Sequence, residues 1–166
     1  SELQTVAQEL DRFSRAFNLI HKVVGPSVVS VQIQRQYVQS NGFIQQSREV
    51  KLGEGSGFVF ASDDNFSYII TNAHVVLQTN GQQNFIKRAG RPVPHDNIRI
   101  EAHDGHFFQA EYIGGDTKTD IAVLRINEAR LPPIQWADSD KVKVGEWVVA
   151  LGYPLGVGYS ASAGII

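Results

Sequence analysis

The chain has 166 residues, 42% of them hydrophobic and 19% charged, which bounds it to one globular domain or one domain plus part of another. A formal net charge of −2 lacks the basic excess of a nucleic-acid surface, and no apolar run is long enough to span a bilayer. The absence of cysteine excludes disulfides, thiolate chemistry and Cys-built zinc sites, and it suits a reducing compartment and a bacterial periplasm equally.

The first segment predicts a helix. Leu3, Val6, Leu10, Phe13, Phe17, Ile20 and Val24 alternate spacings of three and four, with Gln4, Gln8, Asp11, Arg12, Arg15 and Lys22 between them. Gly25-Pro26 ends it, because proline cannot continue a helix and restricts the residue before it. The apolar stripe needs a partner, either its own domain or another subunit.

After Pro26 the period becomes extended. In Ser27 to Gln34, Val29, Val31 and Ile33 alternate with polar residues. Residues 35–51 are rich in Gln, Ser, Asn and Arg and read as an exposed mobile loop or a long hairpin connection. Gly53-Glu54-Gly55-Ser56-Gly57 offers close backbone approach or positive φ before Phe58-Val59-Phe60. Asp63-Asp64-Asn65 is a turn, and Phe66 to Thr71 the next strand. Residues 77–97 form a second polar loop, and Asn97 to Ala102 an alternating strand. His103-Asp104-Gly105-His106 makes a hairpin turn on its Asp-Gly pair, and Phe107 to Ile113 returns. Gly114-Gly115-Asp116 breaks the pattern before a strand from Asp120 to Ile126. Leu131 to Ile134 is a linker and Trp136 to Lys143 a connecting segment. A turn and strand cover Val144 to Gly152, and Ser160 to Ile166 opens another strand. Short strands with frequent Gly/Pro turns indicate an all-β barrel or sandwich behind an N-terminal helix.

Two stretches carry candidate chemistry. Tyr68-Ile69-Ile70 runs into Thr71-Asn72-Ala73-His74-Val75-Val76, so a strand ends in a polar turn that holds up a histidine. Forty-six residues on (120 − 74), Asp120 opens the apolar run Ile121-Ala122-Val123-Leu124. An imidazole held by a carboxylate is two thirds of a nucleophilic triad. Spacing alone does not separate such a pair from a surface or core histidine.

The wording of the motifs adds a resemblance. Thr71-Asn72-Ala73-His74-Val75-Val76 resembles the histidine motif of trypsin-like serine proteases, closest to the HtrA/Deg family. Thr119-Asp120-Ile121-Ala122-Val123-Leu124 is similar to that family's aspartate motif. Gly55-Ser56-Gly57-Phe58 matches the stretch before the histidine strand, and Asp104-Gly105, Gly114 and Asp116 match the approach to the aspartate. Val144 to Gly156 resembles the opening of the second barrel, with Tyr153 where the family commonly has Asn and Leu155 where it has Phe. The likeness runs from Gly25 to Ile166.

That resemblance implies a trypsin-like double β-barrel. Residues 1–25 would be the amphipathic helix, 26–135 the first barrel, and 136–166 the truncated start of the second. It implies a serine endopeptidase of protein quality control, with His74 and Asp120 as catalytic residues and no cofactor. Its partners would be unfolded or misfolded proteins and further copies of itself, in a trimer-based homo-oligomer, with no nucleic acid. Its location would be extracytoplasmic, in the bacterial periplasm. Two departures stand out. Gln78 to Asp96 reads as an insertion after the histidine. No Gly-Asn-Ser-Gly-Gly nucleophile stretch is found in this chain, and the oxyanion hole built around it is missing with it. Ser56 precedes His74 within Gly-Ser-Gly, while Ser160 and Ser162 fall in a strand, so none suits the nucleophile. Val148 to Leu151 and Ala161 to Ile166 would expose apolar edges without the rest of a second barrel, so the chain is expected to be a fragment, inactive alone. Alternatives are a non-catalytic protease-like binding or chaperone module, and a helix-plus-barrel unit that serves assembly only.

His95, Asp96, His103, Asp104 and His106 form the competing cluster, and His103-x-x-His106 has ligand-like spacing. The residues between them are a hairpin tip, which ordinarily carries solvated polar groups, so no metal site is expected there. Lys87, Arg88 and Arg91 read as a solvated loop, and Gly53 to Gly57 lacks the Lys-Ser/Thr of a phosphate loop.

Overall fold

The structure is a computed structural model that describes residues 2–40, 45–127, 131–154 and 158–166. Helix α1 (Glu2–Val24) leads through a 3-10 turn (Gly25–Ser27) into strands β1 (Val28–Ser40), β2 (Gln45–Ser62) and β3 (Phe66–Asn72). A single helical turn, α2 (Ala73–Val76), follows β3. Then come a two-residue hairpin, β4 (Lys87–Arg88) and β5 (Arg91–Pro92), and strands β6 (Ile98–Glu101), β7 (Phe107–Asp116) and β8 (Ile121–Asn127). A 3-10 turn at Ser139–Lys141 precedes the hairpin β9 (Trp147–Gly152) and β10 (Ser160–Ile165).

Six antiparallel strands close a barrel in the order β1-β2-β3-β8-β7-β6, with β6 pairing back to β1. Closure pairs both edges of each strand within the barrel, while the β1–β2 hairpin runs on beyond it from Gln34↔Lys51 to Ser40↔Gln45. Alternation fills the interior. Val29, Val31 and Ile33 of β1 meet Val59, Ile69, Ile98, Ile100, Leu124 and Ile126, all buried. The burial of β3 and β8 alternates along each strand, as period-2 side chains require. On the other face of β1, Ser30 and Gln32 are also buried, and each is satisfied by a carboxylate: Ser30 by Glu54, Gln32 by Glu101.

The structure refines four expectations. Of the two readings of residues 35–51 the hairpin holds and the loop does not, since residues 35–40 and 45–51 are strand. The β1–β2 ladder continues from Gln34↔Lys51 to Ser40↔Gln45 across a shift after Ile33, and residues 41–44 lie outside the described set. Gly53 to Gly57 lies within β2 with no positive φ, and close approach holds at Gly55, beneath Val75, and at Gly57, beneath Ile69, while Gly53 has open space. Gly114 and Gly115 do not end the strand: β7 runs to Asp116 through a register shift between Tyr112 and Gly114. The loop after His74 holds β4–β5 and the bridges Leu77↔Pro94 and Thr79↔Phe85.

Helix α1 forms where the periodicity places it, with its stripe mostly uncovered. None of its residues is buried, and Leu3 is 81% exposed, Leu10 63%. Only the C-terminal turns, at Phe17, Ile20, His21 and Val24, are half covered. Packing of the whole stripe against its own domain is therefore overturned, because the helix outruns the surface that it lies on. Phe13 does touch Trp147 of β9, ring centroids 5.9 Å apart. Among the described residues, no helix is long and apolar enough to cross a membrane.

Candidate active site

The site is built where β3 and β8 run side by side. Their register pairs Asn72 with Ile121, which sets the turn after β3 against the residue before β8. That residue, Asp120, has φ +57°, a left-handed conformation that aspartate tolerates better than most side chains. Asp116 prepares it: its carboxylate accepts from the Lys118 N–H (3.0 Å) and the Thr119 hydroxyl (3.1 Å), which closes the turn between β7 and β8.

In this conformation both the carbonyl and the carboxylate of Asp120 face residues 72–74. The carbonyl accepts from the Ala73 N–H (3.1 Å) and the Asn72 amide (3.2 Å). The carboxylate accepts from the His74 N–H at Oδ1 (2.9 Å) and the Asn72 amide at Oδ2 (3.1 Å). The His74 ring meets it through Nδ1, 2.7 Å from Oδ2. Burial raises the Asp120 carboxyl, but the His74 N–H, the His74 ring and the Asn72 amide outweigh it and hold it below the ordinary carboxylate range. An ionised Asp120 can only accept. It therefore selects the ring form with the proton on Nδ1, and Nε2 is left as the base. The His74 side chain is 62% exposed, so Nε2 is reachable.

Position 55 explains why α2 sits here. A Cβ on Gly55 would come within 2.5 Å of Val75 Cγ2, so only glycine lets β2 pass beneath the residue after His74. A cavity of about 330 Å³ opens beside the imidazole, walled by Ile33, Leu52, Val75, Glu54, Thr79 and His95. Burial raises the Glu54 carboxyl, but hydrogen bonds from Lys51 and Ser30 overcome this and leave it lowered. Burial lowers His95, Arg35 lowers it further, and Asp96 opposes them, so the balance at this wall favours the neutral imidazole.

The other candidates lie elsewhere. The Ser56 hydroxyl accepts from the Tyr153 N–H (2.8 Å), which ties β2 to the turn after β9. Ser160 and Ser162 lie in β10, paired with Gly152 and Ala150. Among the described residues, no serine hydrogen-bonds the His74 ring. His106 pairs with Asp104 through Nδ1 (2.9 Å), whereas His103 stacks on His21 and Tyr159, so the two histidines of the His-x-x-His spacing part company. Sequence reasoning missed the role of Asn72, although it stands inside the histidine motif, and it missed the Leu52, Thr79 and His95 wall, whose members share no pattern.

Known proteins resemble this chain in sequence and in fold. The family model described as "Trypsin-like peptidase domain" matches residues 55–166. The chain belongs to the trypsin-like peptidase family, in its HtrA/Deg branch. It is 38% identical over 122 residues to a "Probable periplasmic serine endoprotease DegP-like" of Halomonas elongata, covering 74% of this chain and 22% of that one. It is 29% identical over 174 residues to the "Putative serine protease HhoB" of Synechocystis sp., covering 96% of this chain and 36% of the relative. Among solved structures, "HtrA-type protease AlgW with decapeptide" superposes with a TM-score of 0.65 at 26% identity, over 88% of this chain and 43% of that chain. This HtrA/Deg domain thus spans about a fifth to a third of the length of those curated relatives.

Proposed function

We propose that the chain supplies the base half of a serine endopeptidase active site. The observation that carries this is the doubly hydrogen-bonded His74–Asp120 pair, with Nδ1 held and Nε2 free. His74 takes the proton of an attacking serine through Nε2 and then gives it to the leaving amine. Asp120 orients the ring and stabilises the imidazolium. The serine comes from outside residues 1–166. Ser56 is engaged at Tyr153, and the matched relatives extend far beyond the aligned region. Residues 26–135 act as the first barrel, and residues 136–166 open the second.

The relatives' names, serine endoprotease and periplasmic, support proteolysis of protein substrates and an extracytoplasmic location. Unfolded or misfolded proteins are the substrate class of this reading. A homo-oligomer, trimer-based, is its assembled form, and the uncovered stripe of α1 supports assembly. Casein turnover tests the activity. The full-length protein should degrade casein and lose this on His74→Ala, while the 166-residue chain alone degrades none. Cleavage by the short chain, abolished by the same substitution, would overturn the reading.

A further inference from the structure

Away from His74, three side chains from three distant segments converge at the root of α1. His21 belongs to the last turns of the helix, His103 to the β6–β7 turn and Tyr159 to the β9–β10 connection. Their ring centroids lie 5.2 Å (His21–His103), 4.9 Å (His21–Tyr159) and 5.1 Å (His103–Tyr159) apart. They surround Gly25. From the point a Cβ at position 25 would take, the Tyr159 hydroxyl is 3.2 Å away, His103 Cε1 3.2 Å and His21 Nδ1 3.5 Å. Glycine leaves that point open.

Aromatic packing accounts for the ring spacing. It does not account for the Tyr159 hydroxyl, which is buried and has no hydrogen-bond partner among the described residues. A buried phenol without a partner is costly, so such a group calls for an explanation. We propose that His21, His103 and Tyr159 form a site for a divalent late transition metal ion, Zn²⁺ or Cu²⁺, that pins α1 to the barrel.

The donor set fits such an ion. Imidazole suits zinc and copper, and Cu²⁺ binds more tightly than Zn²⁺ at a given nitrogen and oxygen site. With metal–nitrogen bonds of about 2.0–2.1 Å in a tetrahedral shell, two imidazole centroids stand about 5 Å apart. The observed His21–His103 separation is 5.2 Å. His103 turns Cε1 toward the point, and a half-turn flip of the ring about its Cβ–Cγ bond exchanges Cε1 with Nε2, so the flipped ring presents Nε2 there. The remaining position is left to water. The consequence is mechanical: α1 has no buried residue of its own, and the ion would fix its direction.

The experiment is titration of the purified chain with ZnCl₂ and, separately, CuSO₄ by calorimetry, with metal-dependent thermal unfolding alongside. One ion should bind per chain and raise the Tm. His21→Ala and His103→Ala should each weaken binding by at least about tenfold. Gly25→Ala keeps all three donors but fills the point between them, so it should weaken binding too. The Cu²⁺ form should show a phenolate-to-copper charge-transfer band that Tyr159→Phe removes, while circular dichroism shows each variant folded. Absence of saturable binding would overturn the proposal. So would binding that survives His103→Ala and is lost on His106→Ala, which would place the ion on the exposed Asp104–His106 pair.

Discussion

Replacing Asp120 by asparagine isolates the charge at the candidate site. Asparagine has the same shape and tolerates φ +57° about as well, so the backbone has no new reason to move. The carboxylate accepts three hydrogen bonds, at 2.7, 2.9 and 3.1 Å, two of them from His74. A carboxamide keeps one acceptor and places an NH₂ group against the other donors. If its oxygen stays on the His74 N–H, the NH₂ faces Nδ1, and the ring must shift its proton to Nε2. A charge-assisted bond of about 1.5–3 kcal/mol becomes a neutral one of about 0.5–1.5. Because the Asp120 side chain is 38% exposed, solvent screening keeps the stability loss near about 1 kcal/mol, or a Tm drop of about 2–4 °C. The kinetic loss is far larger, since the base is then protonated where it should accept. A change of this kind in a serine protease triad lowers kcat about 10⁴-fold. Ring ¹⁵N NMR of the 166-residue chain reads the tautomer, and casein turnover by the full-length protein reads the rate. Acid unfolding adds a further check. The Asp120 carboxyl is lowered on folding, so its contribution is complete above the unfolded value of about 3.9 and is lost as pH falls through the lower folded value. Wild type should lose stability more steeply than Asp120→Asn below about pH 4. An unchanged tautomer, or a rate within about tenfold of wild type, would refute the reasoning.

Gly55→Ala should disturb the site without touching a polar group. Its Cβ would stand 2.5 Å from Val75 Cγ2, an overlap expected to cost about 1–3 kcal/mol and to displace α2. Thermal unfolding should show the loss, and Val75→Ala in the same chain should recover most of it; no recovery would mean that the clash lies elsewhere. Deleting residues 1–24 should leave the barrel folded, because α1 contributes no buried residue. Light scattering should report an oligomer for the intact chain and a monomer after the deletion, and an oligomer that persists would remove α1 from the assembly role.

Barrel strands were legible where one face is apolar and the other polar, as in Val29-Ser30-Val31-Gln32-Ile33. The outer half of the β1–β2 hairpin was not. Gln, Ser and Arg occupy both of its faces, so no period marks it, and the ladder from Gln34↔Lys51 outward rests on backbone pairing. Periodicity locates α1 but cannot show how much of its stripe the fold covers, because coverage depends on a surface far along the chain, at Trp147 (147 − 13 = 134 residues from Phe13) and Tyr159 (159 − 21 = 138 from His21). For the site, the motifs named His74 and Asp120 and the fold brings them to 2.7 Å. The role of Asn72 exists only once Asp120 turns left-handed before β8, so nothing local in the sequence marks it. His103 has His106 as its sequence neighbour, while its spatial partner is His21.

The central claim is that His74 serves a serine outside this chain. A fluorophosphonate probe reacts covalently with an activated serine, and mass spectrometry of the labelled full-length protein identifies the residue. The account predicts one labelled serine beyond residue 166, with labelling abolished by His74→Ala. A label on Ser56, Ser160 or Ser162, or labelling that survives His74→Ala, would contradict it.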